Sequence, residues 1–445
     1  MSFFTRLPAF SLVSLLVAGA SSCAQAAGAD APPPAAPPQA RPGGEFLARF
    51  KPAPLPNAAG LLLQPGDRLA ICGDSITEQK MYSRILETYL TVCVPELKVT
   101  VRQYGWSGET APGFLARMTN DCLRFHPTVA TTCYGMNDHG YRAYAAGIGQ
   151  RYREASTAIV RAFKGAGARV VLGSPGCVGF KVPWSRGSSE DMNLNLCELR
   201  NIDIDIATHE EVRFADVFWP MLNVGLEAQQ QYGTNYCIAG KDSVHPDWAG
   251  QVVMASAFLQ GLGVDGTIGT LTVDLQTGQG TVSAGHEITG LGPGEWKVVS
   301  GRYPFCATGP LDKDNSIRSG MVLVNFNERF NRFMLVARNA GARSYKLTWG
   351  ENSKTCSAED LAKGVNLAGD FPVNPFSAAF EKVDKAVAAK QAYETRQIKT
   401  LFHGEEGRAD SEMTATLTEK VRAPLAAAIA SAFVPVTHTV RLEAQ

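Results

Sequence analysis

Between Gly60 and Val264 the chain alternates short apolar runs with longer amphipathic ones, and this alternation limits the available folds more than any other feature. Strand-like runs occupy 68–72, 97–104, 128–134, 169–173 and 212–216. Helix-like patterns lie near 80–94, 113–125, 144–165, 189–208 and 218–231, with a last one over 248–262. In that last segment Trp248, Val252, Ala255, Phe258, Leu259 and Leu262 recur at helical spacing. Strands and helices in regular alternation imply right-handed crossovers and a parallel sheet covered by helices on both faces. The expected fold class is therefore α/β, with three layers. In open sheets of this kind ligands bind outside the carboxyl ends of the strands. Chemistry is expected in the loops that follow them.

The first of these loops is Gly73-Asp74-Ser75, at the end of the apolar run from Leu69 to Cys72, with a helical pattern starting near Gln79. Ser75 thus stands where a strand ends and a helix begins. Backbone N–H groups there are unpaired, and the helix dipole favours negative charge. A hydroxyl in this place can attack an acyl carbon while its own N–H holds the oxyanion, although a serine there also serves as an N-cap. The second loop is Gly105-Trp106-Ser107-Gly108-Glu109-Thr110, whose first glycine allows close approach and offers an N–H. The third is Gly135-Met136-Asn137-Asp138. The Asn137 amide can donate to an oxyanion, although Asn-Asp is also turn chemistry. The last, Asp242-Ser243-Val244-His245-Pro246, sets a carboxylate three residues before an imidazole, which it can orient as a general base. Of the seven histidines, only His245 has an Asp at this spacing.

Together, Gly73-Asp74-Ser75-Ile76-Thr77, Gly105, Gly135-Met136-Asn137-Asp138 and Asp242-Ser243-Val244-His245 resemble the four sequence blocks of the SGNH (GDSL) hydrolase family, in the family's order. The continuation Pro246-Asp247-Trp248-Ala249-Gly250 is similar as well. The resemblance covers 60–264. It implies a flavodoxin-like three-layer sheet and ester hydrolysis through a serine acyl-enzyme. It further implies Ser75 as nucleophile, His245 as base and Asp242 as the group orienting His245. The implied oxyanion hole comprises the N–H groups of Ser75 and Gly105 and the amide of Asn137. One departure is Gln103, where many members carry asparagine. No Gly-x-Ser-x-Gly motif is present, so the ordinary α/β-hydrolase nucleophile elbow is not expected.

Trp106, Tyr134 and Trp184 lie beside these loops and are candidate substrate-binding residues that could stack on a sugar ring, the competing role being packing. Asp74, Asp138 and His139 are expected to make local hydrogen bonds. Cys72 and Cys133 fall in strand-like runs and read as buried small hydrophobes. Cys177, Cys197 and Cys237, in or beside loops, are the better disulfide candidates. No CxxC or His-rich spacing is present, and neither a metal nor a cofactor is expected.

Residues 1–26 read as a secretory signal, with Arg6, an apolar core over 10–20 and Ala24-Gln25-Ala26 at the cleavage site. Lipoprotein anchoring through Cys23 is the lesser alternative, because the segment before it lacks the usual leucine. The Ala/Pro-rich stretch 27–57 reads as a semi-rigid linker, and the catalytic domain is expected over 58–265. Beyond Asp265 short alternating runs between glycine turns predict a small antiparallel β module over 266–357. A helical extension is expected over 358–445, with helices near 374–402 and 411–432 and Phe376, Phe380, Val383 and Val387 as an apolar stripe.

A formal net charge of zero and a pI near 7.0 give no reason to expect nucleic acid or an anionic membrane as partner. The reading is of an exported serine esterase, periplasmic or extracellular, acting on a small-molecule or polysaccharide ester. The acyl group is most simply acetyl, and its carrier a carbohydrate. The alternatives are a lipase, lysophospholipase or thioesterase of the same family, or a non-catalytic glycan-binding protein. Activity is expected to fall at acidic pH as His245 takes up a proton.

Overall fold

Each strand of the central sheet is a short run of small or branched apolar residues whose alternate side chains face opposite ways. Leu69, Ile71, Val129, Val171 and Ala215 enter one core, while Ala70, Cys72, Ala130, Val170, Leu172 and Phe214 enter the other. Burial on both faces is what parallel strands between helical layers require. In the computed structural model, which describes residues 45–56 and 60–445, the sheet comprises β1 (Arg68–Gly73), β2 (Thr100–Gln103), β3 (Val129–Cys133), β4 (Arg169–Gly173) and β5 (Arg213–Ala215). All are parallel, in the order β2-β1-β3-β4-β5. This is the flavodoxin-like order, with its switch point between β1 and β3. Helices Tyr82–Val92, Phe218–Tyr232 and Trp248–Gly261 cover one face, and Ala111–Asp121 and Ala146–Gly165 the other. The expected strand over 97–104 is shorter at its start, because Pro95–Leu97 form a 3-10 turn.

The expected signal segment with Cys23, and the linker as far as residue 44, lie outside the described residues. From Leu47 onward the expected linker packs on the domain. Phe50 is buried against Phe218 and Trp219, and the Ala53 N–H donates to Asn201 Oδ1 at 2.8 Å.

The second half holds two sheets. One contains β6 (Thr267–Asp274), β7 (Gly280–Val282), β10 (Arg332–Arg338) and β13 (Val365–Asn366). The other contains β8 (His286–Gly292), β9 (Glu295–Ser300), β11 (Ser344–Trp349), β12 (Asn352–Ser357) and β14 (Val436–Ala444). The second sheet is antiparallel throughout, as expected. The first is mixed, because β10 runs parallel to β6. A parallel neighbour needs a crossover, and helices Ile317–Leu323 and Phe326–Phe330 lie on the segment that makes it. The helical extension also supplies two strands that the sequence pattern did not announce: β13 at the edge of the first sheet, and β14 in the middle of the second, between β9 and β11. Phe326, Phe330 and Phe333 are core residues.

Helices Ser377–Arg396 and Ser411–Ala432 form an antiparallel hairpin that covers the free edge of β2. The coverage is chemical. Lys390 Nζ (2.5 Å) and Arg422 (3.0 Å) both donate to the Val101 carbonyl, and the Gln103 N–H donates to Glu394 Oε2 at 3.2 Å. Lys390 is 1% exposed and lies 2.9 Å from both Glu87 and Glu394, while Arg422 pairs with Glu394. Between β2 and this hairpin lies a largely apolar cavity of about 700 Å³, whose lining does not include Ser75.

Candidate active site

Glycine and aspartate shape the turn that carries Ser75. β1 ends at Gly73, and the Asp74 side chain caps the short helix Ser75–Glu78 by accepting from the Ile76 N–H at 2.9 Å. The helix therefore begins at Ser75 itself, earlier than its apolar pattern. A second helix, Tyr82–Val92, follows after a break. As the first helical residue, Ser75 has an N–H with no intrahelical acceptor.

The loop with Asp242 and His245 folds tightly. Gly240 has φ +84, and a Cβ there would collide with the His245 carbonyl. Ser243 has φ +67. The turn brings Asp242 Oδ1 onto the N–H groups of Val244 (3.0 Å) and His245 (2.8 Å). Asp242 Oδ2 accepts from His245 Nδ1 at 2.6 Å, which leaves His245 Nε2 to accept from Ser75 Oγ at 2.8 Å. Burial raises the Asp242 pKa, but the hydrogen bonds from His245 and Val244 outweigh it and hold the carboxyl below the usual range. Ser75 from the first loop and Asp242 and His245 from the last thus form one continuous hydrogen-bonded chain.

The expected oxyanion donors all lie at this end of the sheet, but two of them have partners. Gly105 packs against the backbone of Thr77 and Glu78. Its N–H donates to Gln103 Oε1 at 3.0 Å, so the residue that departs from the family pattern occupies an expected oxyanion donor. Asn137 Nδ2 donates to the Glu109 carbonyl at 2.9 Å and reaches Asp74 Oδ2 only at 3.4 Å. The Tyr141 hydroxyl donates to Asn137 Oδ1 at 3.2 Å, which fixes the orientation of the amide. Tyr141 holds φ +53, an uncommon conformation for a bulky residue. Nothing in the sequence singles it out.

The three aromatic candidates separate. Tyr134 is 3% exposed, stacks on Phe114 and donates to Glu109 Oε2 at 3.0 Å, so it is a packing residue with no face for a sugar. It follows β3 into the same core as Ala130. Trp106 is half-buried, with Arg117 (4.9 Å) and Lys399 (5.3 Å) against its ring and His403 meeting it edge-on at 4.9 Å. Trp184 is 52% exposed; its Nε1 donates to the Asp242 carbonyl at 2.9 Å, and its ring meets Tyr141 at 5.0 Å.

Acidic groups surround the base of the site. Burial pushes the Asp74 carboxyl up to about 7, with Asp138 and Glu109 adding to the effect. Burial also pushes Asp138 up to about 6, although Asp138 accepts the N–H groups of Ala111 and Gly135, both at 3.0 Å. His139 is fully buried, donates from Nδ1 to the Met136 carbonyl and is lowered to about 4 by burial. Asp74, Asp138 and His139 therefore make local hydrogen bonds, as their sequence context suggested. Glu109 is tied by Arg117 through two bonds of 2.6 and 2.7 Å. Cys177 and Cys197 pack as buried thiols and Cys237 is half-buried, so none of these three is in a disulfide. Among the described residues no cluster of metal-ligating side chains is present, and no helix is long and apolar enough to cross a membrane.

Comparison with known proteins agrees with this architecture. Residues 71–253 match the profile of the GDSL-like lipase/acylhydrolase family. Among solved structures the chain resembles BT4096, a gut microbial diltiazem-metabolizing enzyme. Identity is 21% and the TM-score 0.69, covering 87% of this chain and 100% of that one. The likeness of fold thus extends beyond the central parallel sheet. Axe2, an acetylxylan esterase from Geobacillus stearothermophilus, matches at 21% identity over 46% of this chain and 97% of its own, with a TM-score of 0.39. No curated protein matches the sequence. The chain is an ester-hydrolysing enzyme that carries a GDSL-like lipase/acylhydrolase domain over residues 71–253.

Proposed function

We propose that the chain is a serine esterase that removes acyl groups, most simply acetyl, from a carbohydrate or comparable alcohol. The observation that carries this reading is the hydrogen-bonded sequence from Asp242 through His245 to Ser75. As Ser75 Oγ attacks the acyl carbon, its proton passes to His245 Nε2, and Asp242 stabilises the resulting imidazolium. The oxyanion meets the Ser75 N–H, the loosely engaged second hydrogen of Asn137 Nδ2, and the Gly105 N–H shared with Gln103. His245 then returns the proton to the departing alcohol, and water activated by the same imidazole releases the acid. Trp184, exposed beside Asp242, offers a ring face to the alcohol portion. The signal-like segment 1–26 supports export before the enzyme acts.

The test is hydrolysis of p-nitrophenyl esters of increasing chain length, together with acetate release from acetylated polysaccharides and from diltiazem. Wild type is expected to prefer acetate, and Ser75→Ala to lose at least about 10³-fold in kcat. A variant with wild-type turnover would overturn the assignment. Preference for butyrate or longer esters would replace the acetyl reading with a lipase or thioesterase.

A further inference from the structure

The loop of Gly105 is held in part by residues outside the family domain. One stretch, from Gln391 to His403, reaches it through Gln103, Trp106 and Glu78. Gln103 Nε2 donates to Thr395 Oγ1 and to the Gln391 carbonyl (3.5 Å), which aims Gln103 Oε1 at the Gly105 N–H. His403 meets the ring of Trp106 and donates from Nε2 to Asp121 Oδ2 at 2.8 Å. Lys399 Nζ lies 2.8 and 2.9 Å from the two oxygens of Glu78.

Glu78 is the pivotal partner. It closes the helix that Ser75 opens, three residues on. Its Oε2 accepts both the N–H (2.5 Å) and the hydroxyl (2.6 Å) of Ser107, two residues beyond Gly105. Burial raises its pKa, but the hydrogen bonds from Lys399 and Ser107 prevail and keep it ionised. An unneutralised carboxylate here would oppose the oxyanion, so a neutralising cation has a kinetic purpose. Lys80, whose Nζ donates to the Glu78 carbonyl at 2.5 Å, engages the backbone and leaves the carboxylate to Lys399. Lys399 lies on the π-helical turn Gln397–Phe402, a local irregularity common at functional sites.

Resting on the esterase reading above, we infer that Lys399 is a positioning residue of the active site, acting through Glu78 to neutralise it and to fix the Ser107–Gly105 loop. The segment that carries it is part of the working enzyme, although it lies beyond residues 71–253.

The experiment uses the full chain, p-nitrophenyl acetate as substrate and a fluorophosphonate that titrates reactive Ser75, so that kcat is expressed per competent site. Lys399→Met is expected to lower kcat about tenfold with KM changed less than about twofold, and Lys399→Arg to recover most of the loss. Lys385→Met, which breaks an exposed pair with Glu381 on the neighbouring helix, leaves both constants unchanged. In a Glu78→Gln background the carboxylate is gone, so Lys399→Met should add less than about a twofold effect. The inference is overturned if Lys399→Met keeps wild-type kcat, or if its loss recurs in full in the Glu78→Gln background. A wild type that neither hydrolyses esters nor labels at Ser75 would instead remove the esterase reading, and this inference with it.

Discussion

Gly105→Ala tests how closely the Gly105 loop is seated on the helix that carries Ser75. Gly105 is not among the positive-φ glycines, so an alanine has no conformational penalty there. Space is the obstacle. A Cβ would stand 2.5 Å from Thr77 C and 2.6 Å from Glu78 Cα, and closer still to Glu78 N. All three are backbone atoms of the segment that carries Ser75, so no side-chain rotation relieves the overlap. Ordinary van der Waals separation demands a shift of about 1 Å between loop and helix, and a misplacement of that size costs on the order of 10²-fold in rate. Overpacking of this kind also removes about 1–3 kcal/mol of stability. Gly108→Ala is the control. It lies three residues on in the same loop, has φ +75 and meets nothing within 4 Å, so it incurs backbone strain without overlap. The assay is kcat/KM on p-nitrophenyl acetate beside a denaturant melt. Gly105→Ala should lose about a hundredfold while Gly108→Ala stays within about threefold. Equal losses in the two variants, or full activity in Gly105→Ala, would refute the reasoning.

Two further variants probe the buried charges. Asp74 has a folded-state pKa near 7 against about 3.9 in an unfolded chain, so ionising it disfavours the fold. Its stabilising contribution is complete below about pH 4 and is lost as pH rises through 7. Asp74→Asn, neutral throughout, should therefore melt progressively higher than wild type across this window, by up to roughly 4 kcal/mol in stability. A melting difference constant from pH 4 to 8 would contradict that. Lys390→Met leaves Glu87 unneutralised in the core and should cost about 3–5 kcal/mol in a denaturant titration, partly restored by adding Glu87→Gln. A loss under about 1 kcal/mol would show that the pair contributes little.

The central sheet was legible because its information is local. Strand runs such as Arg169–Gly173 are bounded by turn residues, and parallel topology follows from alternation alone. The candidate site was legible for a related reason, since each residue occupies a loop after a strand and Asp242 lies three positions from His245. What escaped depends on distant partners. Nothing near Gly105 signals that Gln103 will turn inward onto its N–H, because the groups that orient Gln103 lie almost 300 positions away. The direction of β10 beside β6 is invisible in an alternating pattern, which antiparallel and parallel strands share. β14 reads as an ordinary tail until its neighbours are known. Tyr134 misleads because one residue separates a loop from the core face of β3.

The capping of β2 by the helical hairpin joins groups that are far apart along the chain. Gln103 and Glu394 are 291 positions apart, so the first edge of the sheet is made long before the groups that close it. Until Lys390, Arg422 and Glu394 arrive, Val101 and Gln103 present an unsatisfied strand edge, the template on which chains pair with one another. The hairpin thus closes an edge that the domain it covers would otherwise leave open. Cutting the chain after its family domain would release a sheet with one sticky border, whatever the state of Ser75.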